Sequence, residues 1–494
     1  MNINAEINKL LNEIGSGQMS NTPYDTSWIA RLEHDPEMSN NALSWLCDHQ
    51  LPDGSWGSRD PFYYHDRVIC TLAAMIALTR RGRRIQDKIQ IERGLAALEK
   101  ITVGATTGLA ADPNGATVGF EMIAPTLVTE AVQLGIIKQQ ADRILGRLAR
   151  QREIKMAKLA GYKINRFVTI SFSAEMAGDD GKNMLDSDNM QEANGSVGNS
   201  PSATAYFLLN IQPASQSAMT YLRDWVTADG GAPDFAPIDI FELAWTLWNV
   251  GLSADLGLPV RASCNPHLDT MKKAWKTGKG IGTASQATLP DGDDTGLVYH
   301  ALGRFGSNMD IQSVLSYEEG NHFRCFSLEA DPSISTNIHI LGALQQAGLE
   351  NAHPAVQKVL AFLRNSRVAG KFWFDKWHAS PYYATSHAII NTCRYDRKLA
   401  KQAVDWILES QKPNGAWGFF HAPTAEETAY CIQALSVWNQ TGGKIDPSVL
   451  RKASDWLLEH AEPPYPPMWI GKCLYCPEKV VRSSILSALS LAGA

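Results

Sequence analysis

The sequence predicts an all-α protein of helical barrels, and two patterns carry that expectation. Apolar residues recur at helical spacing nearly everywhere, as in 68–78, 126–134, 338–344 and 427–435, whereas the alternation of a strand is scarce. Three related segments lie on top of that periodicity: Gln50-Leu-Pro-Asp-Gly-Ser-Trp-Gly57, Gln191-Glu-Ala-Asn-Gly-Ser-Val-Gly198 and Gln411-Lys-Pro-Asn-Gly-Ala-Trp-Gly418. Each places a Gln at a helix end, a Gly turn, usually a Trp, and then another helix, which is the signature of a helix-pair repeat. The Gln amide can satisfy backbone groups that a helix end leaves open, and the indole packs between neighbouring helices. These turns are therefore structural ties between consecutive hairpins.

With 494 residues, 44% hydrophobic and 19% charged, the chain can bury large cores in two to four domains. The formal charge of -6 offers no basic surface for nucleic acid, and Arg80-Arg81-Gly82-Arg83-Arg84 is an isolated solvated cluster. The first residues lack the basic start and apolar run of a signal peptide, and no run of about 18 apolar residues occurs, so a cytoplasmic protein without a membrane span is expected. Eight cysteines are scattered, and the close pair Cys473-Leu-Tyr-Cys476 lacks the further ligands of a zinc site. Buried thiols are expected.

Chemistry concentrates in Asp291-Gly-Asp-Asp294, three carboxylates at what reads as a helix start. Neighbouring carboxylates cannot all ionise cheaply, so such a cluster can retain a proton near neutral pH. The plainer reading is an Asp N-cap followed by solvated acids at the positive end of a helix. The alternating ligands and closing Glu of a calcium loop are missing.

The Gln-Gly-Trp turns and the acidic tetrapeptide together resemble the class II terpene cyclases, and nearly the whole chain follows the diterpene cyclase pattern. It does so in Tyr24-Asp-Thr-Ser-Trp28, in 50–57 with Asp66-Arg67, in Val118-Gly-Phe-Glu121, in 200–206 and in Trp469-Ile-Gly-Lys472. Among bacterial members it most resembles the halimadienyl (tuberculosinyl) diphosphate synthase type, through Ile164-Asn165, Leu185-Asp186, Ser333-Ile-Ser-Thr-Asn337 and 424–430. The resemblance implies two α/α-barrels: a β domain of residues 1–35 plus 251–494, and an inserted γ domain of residues 36–250, with the substrate between them.

It also implies the roles. Asp293 is the acid that protonates a carbon-carbon double bond of geranylgeranyl diphosphate, supported by Asp291 and Asp294, and His339 is its hydrogen-bond partner. A satisfied core histidine is the alternative for His339. Phe172, Asp234, Trp245, Trp377, Tyr382 and Tyr383 are expected at the substrate cavity, where ring faces offset cationic charge. Lys155 and Lys376 resemble diphosphate-binding lysines. Mg²⁺ is expected with the diphosphate, with Asp112 and Glu121 standing where relatives carry an acidic cluster. Asp179-Asp180-Gly-Lys-Asn183 lacks the third acid of a diphosphate-ionising site, so the diphosphate should be retained and passed to a separate class I terpene synthase or a phosphatase. Phe172 and Asp234 replace the His-Asn pair that deprotonates early in plant ent-copalyl diphosphate synthases, which favours a rearranged halimadienyl or clerodane (kolavenyl) skeleton. A copalyl diphosphate synthase, a cyclase of another polyprene (triterpene or meroterpenoid) and a non-enzymatic helical-repeat scaffold stay open at this point, as does homodimer formation.

Overall fold

The computed structural model describes the chain apart from residues 1, 104–114, 139–143, 145, 147, 160, 180, 254–256, 328, 330 and 494. Helices dominate, and the strands among the described residues are two short antiparallel pairs, Asn21–Thr22 with Ala232–Pro233 and Trp469–Ile470 with Leu474–Tyr475. In chain order the first part runs α1 (Ile3–Glu13), α2 (Pro23–Ile29), α3 (Pro36–Asp48), α4 (Tyr64–Arg81), α5 (Ile85–Val103), α6 (Phe120–Gln133) and α7 (Leu148–Leu159). A 3-10 segment (Thr169–Ala177), α8 (Pro201–Asn210) and α9 (Gln216–Trp225) follow. The second part runs α10 (Asp239–Val250), α11 (Leu258–Ala274), α12 (Gly292–Arg304), α13 (Ile311–Leu315), α14 (Ile334–Gln346) and α15 (Pro354–Asn365). It ends with α16 (Pro381–Thr392), α17 (Arg397–Glu409), α18 (Ala425–Gln440), α19 (Pro447–Glu459) and α20 (Glu478–Ala492).

Two closed rings arise from this alternation. α10, α12, α14, α16, α18 and α20 each pack on the next, and α20 closes on α10. Every residue of α16 is buried, whereas outer helices such as α17 bury only one stripe (Leu399, Ala400, Ala403, Val404, Ile407). α16 carries no charged residue on any face and lies inside, whereas α17 is charged on all but one stripe and lies outside. In the other ring α2, α4, α6, the 3-10 segment and α8 follow one another and close on α2.

The Gln-Gly-Trp turns tie successive hairpins as their chemistry suggests. Gln50, Gln191 and Gln411 donate through Nε2 to Gly54 O (2.8 Å), Gly195 O (2.7 Å) and Gly415 O (2.8 Å). The Trp56 and Trp417 indoles donate to Leu46 O (2.7 Å) and Ile407 O (2.8 Å). Trp373 does the same to Leu363 O at 2.8 Å without a Gln, a fourth tie that the motif had not flagged. Gly195 shows why glycine is required: φ is +88°, and a Cβ would lie 2.4 Å from Ser217 O.

Packing corrects the domain boundaries expected from the resemblance. Tyr24, Trp28, Ile29 and Leu32 belong to the same core as α4 and α8, so the segment up to residue 35 divides, and only α1 joins the β domain core. At the other end Ile240 to Val250 pack with α20 and α12, so α10 belongs to the β domain and not to γ. The reason is burial: α2 buries six of its seven residues among γ helices. The hairpin at 469–475 bridges the two parts, with Trp469 in the β core and Cys473 in the γ core.

Candidate active site

The acidic tetrapeptide opens α12, an inner helix of the β domain. Asp291 is its N-cap and accepts from Asp294 N at 2.8 Å, a contact that stabilises a helix start by about 1 kcal/mol. The plain N-cap reading is thus correct for Asp291 and incomplete for the cluster, because all three carboxyls are buried rather than solvated. Gly292 is required between them: a Cβ there would lie 2.3 Å from Arg324 O.

Burial pushes the Asp291 carboxyl up to about 7, with the Asp293 charge adding to it. Burial, then the charge of Asp291, pushes Asp294 well above the usual carboxylate range. Of the two, Asp294 holds its proton the more firmly. Asp293 turns instead to the barrel interior. Its Oδ1 lies 2.5 Å from His339 Nδ1 and its Oδ2 accepts from Ser335 Oγ at 3.2 Å, both groups projecting from α14 one turn apart. His339 is therefore the hydrogen-bond partner of Asp293, fully buried with both ring nitrogens engaged.

Three participants escaped the sequence reading. Ser335 Oγ also lies 3.0 Å from Asp375 Oδ2, so its one hydroxyl proton serves either carboxyl, and Ser335 N donates to Asp375 Oδ1 at 2.9 Å, which holds the hydroxyl beside Asp293. His387 on α16 lies 2.9 Å from the far nitrogen of His339. Ser335 stands four residues before His339 on one helix face, a spacing that could have found it. Nothing local marks His387, which sits in a buried helix without charged residues.

Aromatic rings extend from this acid. Trp245 lies edge-on to His339 at 5.5 Å between ring centroids and donates to Tyr383 OH at 3.1 Å. Trp469 continues the wall, 6.2 Å from Trp245 and 5.0 Å from Tyr383. Of the other ring candidates, Trp377 is partly exposed beside Phe326, and Tyr382 points outward against Trp406 of α17, away from the acid. Beyond Trp469, the bridging hairpin buries Lys472, whose Nζ donates to Glu175 Oε1 at 2.7 Å and lies 4.3 Å above the Phe172 ring. Asp234 accepts from Lys472 N at 2.8 Å, and burial pushes its carboxyl up to about 6. The structure thus gathers Phe172 and Asp234 around Lys472, at the seam between the two cores.

A helical ring with a buried carboxyl on a histidine, facing a wall of rings, can protonate an apolar substrate and shelter the cation that results. Comparison with known proteins agrees. Residues 326–445 match the squalene-hopene cyclase C-terminal domain. The chain is 49% identical to a type B diterpene cyclase of Mycobacterium tuberculosis over 97% of its own length and 96% of that protein's. The chain belongs to the class II diterpene cyclase family. An ent-copalyl diphosphate synthase of Streptomyces sp. (strain KO-3988) is 30% identical, with 96% of this chain and 92% of that protein covered. The ent-copalyl diphosphate synthase structure from Streptomyces platensis superposes with a TM-score of 0.79 at 29% identity, covering both chains fully.

The cyclase's remaining candidates lie apart from the acid's contacts. Lys155 is paired with Glu121, and Lys376 with Glu329 while donating to Asp331 O at 2.7 Å. Asp112 lies outside the described residues. Glu121 is paired with Lys155. Among the described residues the one cluster of metal-ligand type is Asp66, Cys70 and Cys473, whose sulfurs do not suit a hard cation. No helix among the described residues is long and apolar enough to cross a membrane.

Proposed function

We propose that this cyclase converts geranylgeranyl diphosphate into a bicyclic diterpenyl diphosphate with a rearranged halimadienyl or clerodane skeleton. The observation that carries the reading is Asp293, buried at the N-terminus of α12, bonded to His339 and Ser335, and facing the Trp245–Trp469 wall. Asp293 gives its proton to the terminal double bond. The carboxylate left behind is stabilised by His339 Nδ1, by Ser335 Oγ and by the helix N-terminus. The cation then advances along ring faces that exclude water and offset its charge. The diphosphate takes no part in bond making, Mg²⁺ enters only as its counter-ion, and the product leaves for a diphosphate-ionising synthase or a phosphatase. Incubation with geranylgeranyl diphosphate, phosphatase treatment, and mass spectrometry with NMR of the alcohol tests the reading, and release of pyrophosphate during turnover would contradict it.

Lys155 and Lys376 bind the diphosphate in this proposal, exchanging their carboxylate partners Glu121 and Glu329 for it. Alanine at either position is expected to raise KM by about tenfold, since one charge contact of about 1.4 kcal/mol is lost at an end of the substrate that does not react. The product profile should stay the same. A changed skeleton at unchanged KM would place these lysines beside the cation.

The skeleton follows from Phe172 and Asp234. A phenyl ring cannot accept a proton, so the first bicyclic cation persists long enough for hydride and methyl shifts. Phe172→His with Asp234→Asn would restore an acceptor, and the Lys472 ammonium 4.3 Å from that ring position would keep the new imidazole neutral. Each 1.4 kcal/mol between the two barriers is worth about tenfold in product ratio, so a measurable share of copalyl-type product is expected from the double variant. Copalyl diphosphate as the main wild-type product would defeat the argument.

A further inference from the structure

One proton leaves Asp293 for carbon at each turnover and is given up by the cation at another place, so the acid must be reloaded. The Trp245 and Trp469 indoles offer no route, because an indole N–H donates but does not accept. The lumen of the β domain barrel does. Three inner helices lay polar stripes from the acid toward their C-terminal ends: Ser335, His339, Gly342 and Gln346 on α14; His387 and Asn391 on α16; Asp293, His300 and Arg304 on α12. These spacings keep each set on one helix face. At the far end, His300, Arg304, Gln346 and Arg394 line a cavity of about 570 Å³, and a helix carries the stripe from Asp293 to Arg304 over about 16 Å.

Between cavity and acid the polar groups converge. A Cβ on Gly342 would lie 2.4 Å from His300 Nδ1 and 2.6 Å from Asn391 Oδ1, so the bare helix surface there is what lets these two groups meet. Asn391 stands one turn beyond His387, and both Asn391 Oδ1 and His387 Nε2 are buried without a hydrogen-bond partner among the described residues. Buried polar atoms left without a partner are the kind that ordered water satisfies. His387 Nδ1 then faces His339 Nε2 at 2.9 Å, and His339 Nδ1 faces Asp293 Oδ1 at 2.5 Å. Burial holds His387 well below the usual histidine range, so it is neutral at rest and passes a proton on rather than keeping it.

We propose that His387 is the proton relay that reloads Asp293 from the cavity at the C-terminal end of the barrel. A proton from water arrives at His387 Nε2. The proton on His387 Nδ1 moves to His339 Nε2, and the proton on His339 Nδ1 moves to Asp293 Oδ1. Each ring gains one proton and loses one and ends as its other tautomer, so both imidazoles must return to the starting tautomer before the next reload; the net change is one proton from water to the Asp293 carboxylate. The inference rests on the proposed protonation of geranylgeranyl diphosphate.

The test compares single and multiple turnovers of geranylgeranyl diphosphate in wild type and His387→Gln, with thermal melting to confirm the fold. Gln keeps a hydrogen-bond partner for His339 but does not ionise. With enzyme in excess, cyclised product should form within about twofold of the wild-type rate, because Asp293 starts loaded. With substrate in excess, a burst of one product per enzyme should precede a steady rate lower by about tenfold or more. Gly342→Ala, which sets a methyl against His300 and Asn391, should give the same split if His387→Gln does not fold. Equal loss in both regimes, or no loss in either, overturns the relay while leaving the cyclase reading intact. A wild type that forms no cyclised product even in a single turnover overturns that reading, and this inference with it.

Discussion

Asp293→Asn is expected to abolish cyclisation, by about 10⁴-fold or more, in a protein that folds as wild type. The amide matches the carboxyl in shape and can still bond His339 Nδ1 and Ser335 Oγ, so packing around the N-terminus of α12 is kept. What disappears is the acidic proton. An alkene is a poor base, no amide protonates it, and the neighbouring acids do not stand in: Asp291 and Asp294 face each other, with Asp291 also capping the helix. Four powers of ten correspond to about 5.5 kcal/mol of barrier, within what a positioned general acid and its electrostatic setting supply together. Single-turnover product analysis with matched thermal melting checks it. Near-wild-type turnover would move the acid elsewhere.

His339→Ala is expected to slow cyclisation by about 10²-fold and to narrow the active pH range. The imidazole makes the shortest contact to Asp293 and is fully buried, so its removal leaves Ser335 alone to stabilise the carboxylate as the proton departs. The pH dependence follows from Asp291. Its proton is held up to about 7 by burial, so the group is neutral below that pH and negative above it. A negative Asp291 sets a second negative charge beside the carboxylate that forms when the proton leaves, so the wild-type rate should fall as pH rises through about 7. Without His339 the loss above that pH should be steeper. An unchanged pH-rate profile in the variant would reduce His339 to packing.

The sequence by itself determined the helical class, the repeat and the place of the acidic cluster. Helical periodicity needs only neighbours along the chain, so it is legible before any tertiary contact is known. The Gln-Gly-Trp turns are local hydrogen-bond chemistry, so their contacts followed from their residues. The carboxylate cluster was legible because four consecutive residues carry it, and His339 because its place resembled a known pattern. The tertiary structure decided what depends on distance between elements. It moved α2 and α10 across the domain boundaries, because burial against non-sequential helices outweighs order along the chain. It turned Tyr382 outward and Tyr383 inward, although adjacent helical positions differ only by a rotation of about 100° that composition does not reveal. It brought Ser335, Asp375 and His387 to the acid from separate segments. A buried polar group needs a partner, and that partner's place in the chain is set by the ring's closure and by nothing written next to it.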